Sequence, residues 1–157
     1  MRVYIDESGI DKYIDRPFGR AIIGQIVKGF TSGKRYQRES FIAAKVQSKI
    51  IAPFCYKGTC DTELFNYWVE HFLLKEIKPG QVIIMDNATF HKSKRTKDLI
   101  ESIGCKILFL PPYSPDLNPI EIFWANLKKT IRINLEKFKD LSPAIDKAFL
   151  SYSFGGL

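Results

Sequence analysis

The sequence predicts an α/β domain, a mixed sheet of five strands flanked by helices. Three observations carry this. VYI, VIIM and KILFL are short apolar runs that read as strands, VIIM being rich in β-branched residues and, like KILFL, buried. A helix-length segment separates VIIM from KILFL, which makes a strand–helix–strand crossover and hence a parallel pair. Residues 39–46 and 49–56 are two strand-like runs joined by Gln47-Ser48, the signature of an antiparallel hairpin.

In chain order, VYI is a short strand ending in Asp6-Glu7-Ser8-Gly9, so it offers a carboxylate at its exit. The stretch from Lys12 to Gly33 is ambiguous, its AIIGQIV run reading as a strand or as an extended arm. In the hairpin, Pro53 cannot donate to a central ladder and places the second strand at the sheet edge. Asp61 caps a helix whose Leu64, Phe65, Trp68, Val69, Phe72 and Leu73 recur at helical spacing, stopped by Lys78-Pro79-Gly80.

VIIM then delivers Asp86 and Asn87 to its C-terminal edge, where open α/β sheets hold their ligands. Ser93 caps a helix that turns Leu99, Ile100 and Ile103 inward and closes at Gly104, and KILFL follows as a further buried strand. Asn118-Pro119, a cap residue before a proline suited to the first helical position, opens a long helix burying Ile120, Phe123, Trp124, Leu127 and Ile131. Ser142-Pro143 opens a last short helix with Ile145, Ala148 and Phe149 inside.

At 157 residues and 45% hydrophobic, the chain suits a single domain, 1–157, with no internal repeat or linker. A formal charge of +7 favours a polyanionic partner. Cys55, Cys60 and Cys105 form no CxxC pair and stand near no metal-spaced histidine, which argues against a zinc site or a disulfide framework and for buried, reduced thiols. The start lacks a signal-peptide core and no apolar run reaches the roughly 18 residues that span a bilayer, so no membrane partner and a cytoplasmic location are expected.

The chemistry rests on three acids. Asp6, Asp86 and Glu121 arrive from element ends far apart in sequence, and pairing the first strand beside the Asp86 strand would gather them. Carboxylates so close repel unless a cation neutralises them. All-oxygen ligands suit Mg²⁺ or Mn²⁺, and two such ions about 4 Å apart form the clamp used for in-line attack on phosphodiesters. Each acid also has a plainer reading. Glu121, three residues after Asn118, fits the reciprocal acid of a capping box, and Asp86-Asn87 fits a turn. Glu7 competes with Asp6, but strand alternation turns Glu7 to the opposite side.

Lys92, Lys94, Arg95 and Lys97 gather at a helix N-terminus, where the macrodipole disfavours cations, which marks them as phosphate contacts or as a solvated charged turn. His91 is a candidate for a phosphate contact, for orienting its loop, or for a structural role. Tyr113 in PPYSP reads equally as a DNA contact or as packing.

YIDES, IIMDNATFH and LPPYSPDLNPIEIFWANLKK resemble the catalytic-domain signatures of insertion-sequence transposases related to the mariner elements, in the Asp-Asp-Glu superfamily. Thirty-four residues between Asp86 and Glu121 match the spacing many of these show. The resemblance implies an RNase H-like fold, Asp6, Asp86 and Glu121 as the metal-binding catalytic triad for two Mg²⁺ or Mn²⁺ ions, and a nucleoid-associated setting. It implies cleavage of DNA at element ends and strand transfer to target DNA, with a homodimer pairing two ends in a synaptic complex. The family's upstream DNA-binding half has no counterpart before Met1, so end recognition is expected from a separate upstream half. The alternatives are a stand-alone RNase H-like nuclease and a non-catalytic DNA-binding remnant.

Overall fold

The computed structural model describes residues 1–13 and 36–154; the AIIGQIV run lies outside them. Five strands, β1 (Arg2–Tyr13), β2 (Tyr36–Val46), β3 (Lys49–Tyr56), β4 (Val82–Met85) and β5 (Lys106–Phe109), form one sheet in the order β3-β2-β1-β4-β5. β1–β2 and β2–β3 pair antiparallel, β1–β4 and β4–β5 parallel, so the sheet is mixed as expected. The helices are α1 (Thr62–His71), α2 (Lys94–Ser102), α3 (Ile120–Phe138) and α4 (Leu141–Phe154).

Strand alternation sorts the core into two layers. Val3, Ile5, Ile42, Ala44, Ile83 and Met85 turn to one face, where they pack with Phe65, Trp68 and Val69 of α1 and Ile100 of α2. Ile10, Phe41 and Ala43 turn to the other and meet Ile120, Trp124, Leu127 and Ile131 of α3 and Ile145 and Ala148 of α4. The Trp68 indole N–H donates to the Ala52 carbonyl at 2.8 Å, tying α1 to the hairpin's outer strand.

The hairpin turns at Gln47-Ser48, with Gln47 at φ 54, and β3 is an edge strand as Pro53 requires. Ala52 and Pro53 together oppose the single residue Ala43, a bulge that absorbs the proline's missing donor.

Several expectations need correction. β1 does not stop at Ile5 but runs on to Tyr13, because β2 supplies a partner along its whole length, so Asp6 lies within a strand. α1 ends at His71 and is followed by a 3-10 turn, Leu73–Lys75, well before Pro79. β5 is half-buried, with Leu108 exposed, because it forms the second sheet edge. Of the three cysteines only Cys105 is buried, although all are free thiols.

Phe41 is fully buried between the sheet and the α3–α4 layer, its ring 5.1 Å from Trp124 and 5.9 Å from Phe149. Phe41→Ala is expected to lower unfolding free energy by about 3–5 kcal/mol, measured by urea denaturation, since the surrounding rings cannot collapse into the space.

Candidate active site

The site forms where strands of unequal length stop side by side. β1 pairs with β4 only over Arg2–Tyr4 and then continues alone on that side, so Asp6 stands just past the pairing. Asp86 immediately follows the last residue of β4, and Leu110 N–H donates to the Met85 carbonyl at 2.8 Å, which carries the β5 chain alongside. α3 starts against the same edge and holds Glu121 in its first turn.

Asn118 fixes that start. Its side-chain amide donates to the Ile5 carbonyl at 3.3 Å, next to Asp6, and its Oδ1 accepts from Ile120 N–H at 3.2 Å. One buried side chain thus joins β1 to the head of α3. The capping-box reading of Glu121 fails here, because the Asn118 N–H it would receive donates to the Pro115 carbonyl at 3.0 Å instead. The Glu121 side chain reaches Asp6.

Asp6, Asp86 and Glu121 therefore line one open cleft of about 320 Å³, together with Asn87, Ala88, Asn118 and the loop 110–115. Tyr113 of that loop lies in the left-handed region, φ 57, and is fully exposed, so packing does not account for it.

The electrostatics are those of crowded acids. Burial, then the charge of Glu7, then a hydrogen bond with Glu121 push Asp6 up to about 8. Asp86 goes the other way: a hydrogen bond from His91 holds its carboxyl below the usual range against the opposing effect of burial. Glu7 points to the α1–α2 face, as alternation requires, and its Oε1 lies 2.6 Å from His91 Nε2. Nδ1 of the same ring lies 2.9 Å from Asp86 Oδ1. Burial works against a charged ring, but these two carboxylates outweigh it and push His91 up to about 10, so the imidazolium bridges them.

The basic candidates fare unequally. His91 is completely buried with both nitrogens occupied, so it has no face left for a phosphate, and that expectation is corrected. Lys94 pairs with Asp98 at 2.9 Å and Arg95 with Glu70 at 2.7 Å, so these two are locally neutralised on α2. Lys92 and Lys97 are exposed, and Lys92 Nζ sits 5.6 Å from the centre of the Phe109 ring at the end of β5, on the flank of the cleft. The Glu7 contact was invisible in sequence except through β1 alternation, and nothing in the local pattern announced the Asn118 brace.

The model of the DDE superfamily endonucleases matches residues 1–143. The Tc3 transposase of Caenorhabditis elegans is 31% identical over 116 residues, which cover 74% of this chain and 32% of that protein. The chain thus spans about a third of that relative. Among solved structures, a chain of a simian T-cell lymphotropic virus intasome superposes with TM-score 0.68 at 14% identity, covering 98% of this chain and 48% of that one. The catalytic core of BIV integrase gives 0.63 at 12% identity, covering 98% and 84%. The Mos1 transposase catalytic domain gives 0.61 at 17% identity, covering 98% and 69%. The shared fold is the RNase H-like one.

In EDTA, stability is expected to fall as pH rises. Asp6 holds its proton in the folded chain up to about 8 but releases it near 3.8 when unfolded, so the folded state carries more protons in that window. His91 has the same sign, its contribution being full below 6.5 and lost as pH rises through about 10. Thermal melts from about pH 5 to about pH 9 check this, and Asp6→Asn, which mimics the protonated acid, is expected to flatten the lower part of the slope.

Proposed function

We infer the activity from one premise: the chain belongs to the family of DDE superfamily endonucleases. It is the catalytic domain of a transposase, a polynucleotidyl transferase that cleaves DNA at element ends and joins the freed 3′-hydroxyl to target DNA. The observation that carries this reading is the meeting of Asp6, Asp86 and Glu121, from β1, the end of β4 and the head of α3, in one open cleft.

The residues fit divalent metal. Ligand oxygens of Asp6, Glu7 and Asp86 lie within 4.8 Å of one another, and burial together with the neighbouring charges of Glu7 and Glu121 raises the affinity of Asp6 for a proton, a burden that a cation would relieve. Asp6, Asp86 and Glu121 would hold Mg²⁺ or Mn²⁺, two ions in the full site, through hard oxygen donors. When bound, the cations supply charge neutralisation and activation of the attacking hydroxyl in an in-line displacement at phosphorus.

The chain's own groups do the rest. Asp6 must release its proton for the carboxylate to serve as a ligand, so metal uptake and proton release are linked. Glu121 is held by a helix that Asn118 ties to β1, which keeps the acids in register. The open cleft admits a strand of DNA, and the exposed Tyr113 at its rim is placed to stack on a base. Lys92 and Lys97 contact phosphates, while Lys94 and Arg95 keep their acidic partners. Selection of element ends is assigned to an upstream DNA-binding half and pairing of two ends to a homodimer. Among the described residues no helix is long and apolar enough to cross a membrane.

The test is Mn²⁺- or Mg²⁺-dependent cleavage and strand transfer on DNA carrying the element's ends. Asp86→Asn and Glu121→Gln are each expected to reduce both steps at least about a thousandfold, the scale of losing a principal electrostatic contribution. Cleavage without joining would point to a stand-alone nuclease, and full activity in either variant would sink the triad. Lys92→Ala is expected to weaken DNA binding without abolishing cleavage, lowering the salt dependence of log K by about one phosphate contact.

A further inference from the structure

Two features of the cleft edge are left over once the triad is accounted for: a histidine with no exposure at all, and an acid one residue from Asp6 on the opposite face of β1. His91 lies between aromatic rings, 4.6 Å from Phe65 and 4.4 Å from Phe90 centre to centre. Its two nitrogens end on two carboxylates, Nε2 on Glu7 Oε1 at 2.6 Å and Nδ1 on Asp86 Oδ1 at 2.9 Å. Nδ1 also lies 3.2 Å from the Asp86 carbonyl.

Asp86 follows the last residue of β4, where no ladder holds it, and a carboxylate there turns freely about its last torsion. Here it does not, because Oδ1 meets two partners, the His91 ring and the Ala88 N–H at 2.9 Å. Among the described residues Oδ2 takes no hydrogen bond. The loop from Asp86 to His91 closes back on its own first residue, and one oxygen of the pair is left for an outside ligand.

Glu7 has a ligand oxygen within 4.8 Å of Asp6 and Asp86 and so could be counted with them as a metal ligand. Two observations speak against it. Glu7 does not line the cleft that Asp6, Asp86 and Glu121 share, and its Oε1 is already held by His91. An acid on the far side of the sheet that grips the imidazole gripping Asp86 has the arrangement of an outer support to a metal ligand.

We propose that His91, backed by Glu7, is a positioning residue that fixes the Asp86 carboxylate and leaves its Oδ2 for the divalent cation, and that Glu7 itself binds no metal. This rests on the metal-site reading given above. Glu7 locks the ring, the ring locks Oδ1, and the ligand oxygen is oriented before the cation arrives, which lowers the ordering cost of binding.

The experiment is a Mn²⁺ titration of the full chain without DNA, read by electron paramagnetic resonance, with circular dichroism melts to establish that each variant folds. His91→Ala is expected to weaken Mn²⁺ binding at least about tenfold. His91→Asn, whose amide nitrogen falls near the position of Nδ1, is expected to stay within about threefold of wild type, and His91→Phe, which fills the aromatic space without a donor, to bind as weakly as alanine. Glu7→Gln keeps an acceptor for Nε2 and is expected to lose less than about threefold, against loss of high-affinity uptake in Asp86→Asn. In turnover assays His91→Asn should retain kcat with a small rise in the Mn²⁺ requirement.

Glu7→Gln losing Mn²⁺ as completely as Asp86→Asn would make Glu7 a ligand and overturn the proposal. So would His91→Ala binding like wild type, or His91→Phe restoring affinity, which would reduce His91 to packing. A wild-type chain that takes up no Mn²⁺ at these acids would overturn the metal-site reading itself, a result distinguishable from either.

Discussion

Like charges held at one sheet edge are the constraint around which this structure is arranged. Asp6, Glu7 and Asp86 are brought within a few ångströms by the β1–β4 pairing, and Glu121 is added by α3. Such a cluster is costly without a counter-charge. The chain answers on one face of the sheet only, with the His91 imidazolium between Glu7 and Asp86. On the other face Asp6 has no such partner among the described residues, and burial, then the charge of Glu7, then Glu121 leave it holding a proton up to about 8. The two faces therefore differ: one carries a histidine between two carboxylates, and the other opens to the cleft.

Packing makes this tolerable. β1 is hydrogen-bonded to β2 from Val3 to Tyr13 and to β4 as far as Tyr4, and it lies between two helical layers, which restrains its backbone from spreading the acids. Asn118 removes the remaining freedom by joining the β1 backbone to the helix that carries Glu121. The free energy that holds the acids together comes from apolar burial in the two core layers, to which their own chain neighbours Ile5, Met85 and Ile120 belong.

Most of the fold was legible in sequence because its signals are local. The five residues assigned inward on α3 are the five that are buried, since a 3.6-residue period over nineteen residues leaves little ambiguity. Pro53 located an edge because a missing donor has few permitted places. Errors fell where a tertiary partner decides. β1 outran its apolar run because β2 pairs with polar residues as readily as with apolar ones, and β5 looked buried although only one neighbour covers its ladder. At the site, three acids were picked out from element ends and motif spacing, and the structure brings all three into one cleft. The His91 contacts were not readable, because they join residues 84 positions apart across a sheet whose order the sequence does not state.

The alternation of β1 has one more consequence. Asp6 and Glu7 are adjacent acids with opposite assignments, one for the cleft and one for the histidine, and only the register of the strand tells them apart. A slip by a single residue would exchange them and would also move the core residues Ile5 and Ile10 each into the layer packed for the other. The eleven paired positions with β2, from Val3 opposite Val46 to Tyr13 opposite Tyr36, make that slip prohibitive. The hairpin partner, which contributes no residue to the cleft, therefore acts as the ruler that decides which of two neighbouring carboxylates faces the cleft.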